Sequence, residues 1–401
     1  MYKYITLLSC LCVVAAQHEK SEGAECSDSI GNSGRCVRIR HCKEIEFIKK
    51  ERYSNICGSS AKDPIICCTR KDLRNTDTCE PASPRRPDMK IGKIAYHKCV
   101  DYQEQIKFPC VGYTYYAQIN GSTQTRYTRR DGCSDPPSLV IGSSGVDASR
   151  GQFPHMALLG YVEDESEVEW LCGGTIISEQ FILTAGHCTS HKQLGPVSLA
   201  RLGILKRSDP DKVARDYKIK RFLLHPEYKP PAKYNDIALL ETEKRIVFLN
   251  KHVVPACLDA GDADVESDAE MASATGWGAL GDGEPNADVL QRMDIVKFST
   301  EECSALYKPY RLLKTGLDNF TQVCYGHRQI PRDTCKGDSG GPLQVEYGGV
   351  NCMHKVIGVT SFGRACGNTG QPGVYTRVRP YVPWIESVVW PAQGTDKCVC
   401  F

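Results

Sequence analysis

The sequence predicts an all-β domain from Val140 onward, closed by one short helix and preceded by a small segment that disulfides must hold together. Three observations predict it. Short apolar runs at 153–161, 175–183 and 356–361 alternate with turns rich in Gly, Pro and Asp, the pattern of many short strands in a barrel or sandwich. A last apolar run, 382–390, has helical character. Finally, six cysteines fall within residues 26–68, a polar stretch too small to bury an adequate apolar core.

The 401 residues allow two or three domains. Net charge is only +2 and no long like-charge run occurs, which argues against nucleic-acid or membrane-surface binding by bulk electrostatics. The 22 cysteines point to an oxidising compartment. At the start, Lys3 precedes an apolar run over 5–16 that ends in the small residues Val14, Ala15 and Ala16. This reads as a signal peptide, residues 1–16, cut before Gln17; an uncleaved anchor would need several more apolar residues. The expected location is therefore extracellular, with Asn120 and Asn319 as N-glycosylation acceptors in Asn120-Gly-Ser and Asn319-Phe-Thr. The terminal Cys398-Val-Cys400-Phe401 spells a prenylation box. Prenylation is cytosolic chemistry, so these two cysteines read as disulfide partners.

The N-terminal six are Cys26, Cys36, Cys42, Cys57, Cys67 and Cys68. A zinc site is the rival use of such a cluster, disfavoured by an oxidising route. Spacing alone leaves many connectivities open. The pattern, ending in an adjacent pair, resembles the clip domain of arthropod proteases over residues 26–68. That resemblance implies the pairs Cys26–Cys67, Cys36–Cys57 and Cys42–Cys68. Residues 69–139 are rich in Pro and charge, with Pro81, Pro84, Arg85, Arg86 and Pro87 together. They read as an exposed linker tied down by Cys79, Cys99, Cys110 and Cys133.

Three strings carry the chemistry: Leu183-Thr-Ala-Gly-His187-Cys188, Asn235-Asp236-Ile-Ala-Leu-Leu240, and Asp333-Thr-Cys-Lys-Gly-Asp-Ser339-Gly-Gly-Pro342. Taken singly, each has a bland reading. A lone histidine is usually a surface or core residue, an Asp before an apolar run is often a cap, and a Ser between glycines is usually a loop. His225, before Pro226, lacks such company and reads as structural. Together and in this order, the three strings resemble the chymotrypsin/trypsin family. The resemblance implies two six-stranded β-barrels with a C-terminal helix over residues 140–401.

The residue types suit nucleophilic catalysis. A serine hydroxyl is a poor nucleophile at neutral pH and needs a base to take its proton. Imidazole ordinarily titrates near neutrality, so His187 suits that task and can return the proton to the leaving amine. The resemblance makes Asp236 the carboxylate that orients His187, and Ser339 the nucleophile. It places the oxyanion donors at the N–H groups of Gly337 and Ser339. No cofactor or metal is required for this chemistry.

Six residues before Ser339 stands Asp333, which the resemblance puts at the base of the specificity pocket. A buried carboxylate there selects Arg or Lys. Gly363 and Gly373 match pocket-wall positions, and Ser361-Phe362-Gly363 would pair with the substrate backbone as an added strand. The family more often has Trp where this chain has Phe362. The same likeness implies disulfides Cys172–Cys188, Cys303–Cys324, Cys335–Cys366 and Cys133–Cys257. It leaves Cys79, Cys99, Cys110, Cys352, Cys398 and Cys400 unassigned.

In this family a cut creates an α-amino group that pairs with the acid before the nucleophile, here Asp338. The best new terminus is Val140, in Leu139-Val140-Ile141-Gly142-Ser143; a cut one residue later, before Ile141, is the alternative. Arg129-Arg130 would expose residues unsuited to the inward site. Leu139 does not suit a pocket that seeks a cation, so a second protease accepting Leu is the expected activator. A clip segment, Leu activation and a trypsin-like domain together resemble the snake-like proteases of insect cascades. The implied role is cleavage of a downstream protease zymogen in a Toll or melanisation relay, under a serpin-type inhibitor. Two rivals are a non-catalytic clip-domain adaptor, which usually lacks the nucleophile, and a digestive trypsin, which lacks the clip segment.

Overall fold

The computed structural model describes residues 24–27, 33–38, 56–59, 64–69, 92–105, 110–117, 122–129, 145–162, 168–210, 213–248, 252–260, 269–281, 283–330, 335–346, 353–363 and 369–391. The signal segment, Asn120, Leu139, Val140 and Asp333 lie outside the described residues, as do Cys42, Cys79, Cys133, Cys352, Cys366, Cys398 and Cys400. The chain divides into two compact units, residues 1–79 with 114–127, and residues 80–113 with 128–401.

In the first unit, strands Glu25–Ser27, Ser33–Arg38, Pro64–Thr69 and Ile56–Ser59 lie in that order in one antiparallel sheet. Cys26 is bridged to Cys67 and Cys36 to Cys57, each with Cα atoms 5.8 Å apart. Cys68 is also disulfide-bonded. The buried cluster here consists of Cys26, Cys36, Cys57 and Cys67 around Ile65. Cystine takes the place that larger aliphatic side chains fill in a bigger core, and each closed loop contributes about 3 kcal/mol by restricting the unfolded chain.

The second unit holds the predicted barrels. Strands β1 (Met156–Val162), β2 (Val168–Ile176), β3 (Phe181–Thr184), β4 (Gly195–Leu202), β5 (Arg215–Leu224) and β6 (Ala238–Thr242) form the first. Their spatial order is β4-β5-β6-β3-β2-β1, and β1 pairs back onto β4 to close the ring. The second barrel uses β7 (Met271–Gly276), β8 (Gln291–Lys297), β9 (Gln322–Gly326), β10 (Pro342–Glu346), β11 (His354–Phe362) and β12 (Gly373–Arg377). Its order is β11-β10-β7-β8-β9-β12, closed by β11 against β12. Leu159, Ile182 and Leu239 fill the first barrel, while Ile295, Tyr325, Leu343 and Tyr375 fill the second. Closure leaves neither sheet an open edge. The C-terminal helix, Val382–Val389, buries Val382, Ile385 and Val389 along one face against the first core. Among the described residues no helix is long and apolar enough to cross a membrane.

One disulfide differs from the expectation. Cys257 is bridged to Cys99, not to Cys133, with Cα atoms 5.2 Å apart. The physical cause is a helix, Lys93–Gln105, inside the stretch whose composition reads as exposed linker. Its Ala95, Tyr96, Cys99 and Tyr102 are buried along one face. Tyr102 donates to Glu179 Oε2 at 2.8 Å, accepts from Trp390 Nε1 at 3.1 Å, and meets Phe248 edge-on at 5.4 Å between ring centres. Glu386 Oε1 accepts from the Ala95 N–H at 2.7 Å, satisfying a first-turn donor that the helix itself leaves unpaired. Gly92 leads the chain in at φ 75°, where an added Cβ would stand 2.5 Å from the Ala260 Cβ. The helix is thus packed as part of the catalytic unit. Tyr102→Ala should lower the urea-unfolding stability of the intact chain by about 3–5 kcal/mol, as for other large buried aromatics. A loss below about 1 kcal/mol would show that the helix is merely tethered.

Candidate active site

His187 lies in a single 3₁₀ turn, Gly186–Thr189, that follows β3. The turn is tight because Gly186 has no side chain: a Cβ there would meet the Tyr228 ring at 2.7 Å. The bridge Cys172–Cys188 ties the turn to β2. Asp236 comes from the neighbouring strand of the same barrel, just before β6, whose Ala238 pairs with Thr184 of β3. Its predecessor Asn235 takes a left-handed φ of 54°, which Asn tolerates better than most residues. Tyr381 OH donates to Asn235 Oδ1 at 2.7 Å and holds that turn.

The Asp236 carboxylate is 1% exposed and fully occupied. Its Oδ1 accepts from the His187 backbone N–H at 2.9 Å, and its Oδ2 faces His187 Nδ1 at 2.8 Å. Ser361 Oγ donates to the same Oδ2 at 2.5 Å, and Thr376 Oγ1 donates to the Asp236 carbonyl at 3.0 Å. Burial pushes this carboxyl up, but the His187 charge and the three donors outweigh burial and hold it below the usual carboxylate range. An acceptor of that kind fixes the hydrogen on Nδ1, so Nε2 is the basic nitrogen facing the cleft. The sequence motifs signalled His187 and Asp236. They carried no signal for the hydroxyl of Ser361 or for Thr376, which lie far along the chain.

Ser339 stands half-buried in the turn before β10. Its carbonyl accepts from Gly173 N–H at 2.8 Å, next to bridged Cys172, so the nucleophile loop is docked beside the His187 turn. In this uncut chain no hydrogen bond joins Ser339 Oγ to His187 among the described residues. Such bonds are often long until substrate is bound. The loop's backbone is shaped by Gly337 at φ 99° and Gly340 at φ 77°. A Cβ on Gly340 would lie 2.1 Å from Thr184 Oγ1, so only glycine fits. The N–H groups of Asp338, Gly340 and Gly341 each have a backbone acceptor. Those of Gly337 and Ser339 have none among the described residues, which leaves two donors for a ligand oxygen.

Asp338 is 5% exposed, and its two oxygens accept only backbone N–H groups, from Gly278 and Cys335, both at 2.8 Å. No cation reaches it among the described residues. Burial, only partly offset by those donors, pushes its carboxyl up to about 6. The sign follows directly. The folded chain holds this proton more tightly than the unfolded chain does, so the contribution is full below about pH 4 and is lost as pH rises through about 6. In the uncut chain the stability of Asp338→Asn relative to the parent should therefore rise by about 3 kcal/mol between pH 4 and pH 7, because each tenfold difference in proton affinity is worth about 1.4 kcal/mol. Denaturant titrations of the two proteins at both pH values measure it.

Ser361 and Phe362 end β11, Gly363 follows exposed, and Gly373 opens the neighbouring β12. Cys303 is bridged to Cys324, Cys335 is disulfide-bonded, and Asn319 is exposed. Among the described residues, two clusters bring sulfur or imidazole groups close enough to share an ion: Cys26 with Cys36 and Cys57, and Cys172 with His187 and Cys188. Their cysteines are held in disulfides, so they offer no thiolate ligands.

Two closed barrels with an Asp-backed histidine and a glycine-framed serine define a class, the serine proteases of the chymotrypsin type. Comparison with known proteins agrees: the trypsin family profile matches residues 143–385, and the chain belongs to that family. It is 31% identical to Serine protease snk of Drosophila melanogaster, over 92% of this chain and 79% of that one. It is 35% identical to CLIP domain-containing serine protease C9 of Anopheles gambiae, over 65% and 71%. Phenoloxidase-activating factor 1 of Holotrichia diomphalia shares 26% identity over 92% and 94%. The first and third of these matches cover 92% of this chain, well beyond the residues that the trypsin profile matches.

Proposed function

We propose that the chain is a secreted serine endopeptidase zymogen, switched on by a cut after Leu139, that cleaves a downstream protease zymogen after Arg or Lys. The observation that supports this most is the line from Ser361 through Asp236 to His187, beside a serine whose own N–H, like that of Gly337, has no backbone acceptor among the described residues. In the reaction, Ser339 Oγ attacks the carbonyl carbon of the scissile bond while His187 Nε2 takes its proton. The carbonyl oxygen, now negative, is received by the N–H groups of Gly337 and Ser339. Asp236 stabilises the imidazolium, which then protonates the departing amine. Water, deprotonated by the same nitrogen, releases the acid from the acyl-enzyme.

Asp333 supplies the selection. A carboxylate at the pocket base has no compensation unless an Arg or Lys enters, so peptides ending in Leu or Phe are rejected by about 10³-fold or more. Profiling the cleaved protein with peptide amides ending in Arg, Lys, Leu and Phe tests this; equal rates across the four would overturn it. Asp338 supplies the switch. It is a buried carboxyl awaiting a cation, and the α-amino group of Val140 would provide one.

The pocket and Leu139 do not match, so activation needs a separate protease that accepts Leu. Leu139→Arg should convert the zymogen to one that activates itself, with a lag followed by acceleration, while the parent stays uncut for the same period. Electrophoresis of purified protein over time reads the outcome. The likeness to Serine protease snk and to Phenoloxidase-activating factor 1 supports a place in an extracellular relay; a serpin-type inhibitor is the partner expected to end it.

A further inference from the structure

Lys233 carries an inference that rests on the peptidase reading above and sharpens its substrate. Its ammonium stands over the face of the Phe362 ring, 5.5 Å from the centroid. Phe362 directly follows Ser361, whose hydroxyl is bonded to Asp236, and Lys233 is itself three residues before Asp236. The cation therefore lies at the lip of the catalytic cleft, over the strand end along which substrate backbone would run.

The position is built, not incidental. Lys233 N–H donates to the Leu312 carbonyl at 3.0 Å, and its own carbonyl accepts from Gln322 Nε2 at 2.8 Å. Tyr234 is anchored by its hydroxyl, which donates to the Gly316 carbonyl at 2.8 Å and accepts from the Thr315 N–H at 2.9 Å. The backbone is thus clamped on both sides while the side chain is half-buried. Leu312 is flanked by the exposed cations Arg311 and Lys314, so two further positive charges stand on this side. None of Lys233, Arg311 and Lys314 has a carboxylate partner among the described residues. Of the acids nearby in the chain, Asp318 accepts from the Thr321 hydroxyl and from the Phe320 N–H, and Glu227 makes no ion pair with Lys233 among the described residues.

An ammonium left on an aromatic face is held there more weakly than a partly desolvated carboxylate would hold it. We infer that Lys233, backed by Arg311 and Lys314, selects substrates carrying an acidic side chain two to four residues before the cut bond. Residues leading into the pocket must pass over Phe362, and only an anion there meets the unpaired charge. A basic residue at the same place meets repulsion, which makes the device a filter as well as an attraction.

The test uses the full chain after cleavage at Leu139 and paired peptide amides, all ending in Arg, with Glu or Gln at the second, third or fourth position before the cut. At one of these positions kcat/KM for the Glu peptide should exceed that for the Gln peptide by about tenfold at low salt, equivalent to one well-placed charge pair. The ratio should shrink on raising salt from about 0.05 M to about 0.5 M, as expected for a screened interaction. Lys233→Gln should bring the ratio to about one, and Lys233→Glu should drive it below one. Because each ratio is internal to one enzyme, a partial loss of folded protein does not move it. A ratio near one at all three positions in the parent overturns the inference while leaving the Arg-directed activity standing. Absence of hydrolysis of every Arg peptide overturns both.

Discussion

Ser339→Ala, introduced into the chain and cut at Leu139, is expected to lower kcat on an Arg peptide amide by about 10⁶-fold. The size follows from how the residues act as a unit. His187 can abstract a proton only from a hydroxyl held beside it, and Asp236 only supports His187. Without Ser339 Oγ the whole proton relay is idle. What survives is the pair of N–H groups at Gly337 and residue 339, with substrate binding, which together leave about 10³–10⁴-fold over water in comparable sites. His187→Ala should cost about the same, and combining the two should add little. A loss under about 10²-fold would mean that Ser339 is not the nucleophile.

Asp338→Asn should leave the bond after Leu139 just as cleavable yet suppress the activity that cleavage produces. In the uncut chain Asp338 is buried with only two backbone donors, and burial raises its carboxyl to about 6. On the proposed switch, an α-amino group freed at Val140 would turn that unfavourable group into half of a buried pair. Removing one partner of such a pair costs about 3–5 kcal/mol, which moves the equilibrium away from the ordered pocket by about 10² to 10⁴-fold. Steady-state kinetics on fully cleaved protein, verified by its new N-terminus, measures this. Full activity in cleaved Asp338→Asn would remove Asp338 from the switch.

The parts that are legible in the sequence are those written in contiguous residues. The strings around His187, Asp236 and Ser339 are local because each sits on one tight turn, shaped by Gly186, by Asn235 at φ 54°, and by Gly337 and Gly340 respectively. The double barrel is legible only through the family resemblance, since alternating short apolar runs do not distinguish a barrel from a sandwich. The helix Lys93–Gln105 is not legible. Its segment averages as polar and Pro-rich, and what stabilises the helix is Tyr102, Cys99 and Ala95 meeting Glu179, Cys257 and Glu386, all remote in sequence. The mistaken pairing of Cys257 with Cys133 has the same origin: no spacing rule reports a contact made across 158 residues. The support of Asp236 by Ser361 likewise joins residues 125 apart, and the ammonium of Lys233 acquires meaning only once Phe362 lies beneath it.

The most direct measurement is hydrolysis of an Arg-terminated peptide amide before and after a Leu-accepting protease has cut the purified chain, with N-terminal sequencing of the product. The expected result is negligible hydrolysis by the uncut chain and strong hydrolysis once the sequence Val-Ile-Gly-Ser appears at a new terminus. Complete conversion to a Val140 terminus with no hydrolysis, or equal hydrolysis before the cut, would contradict it.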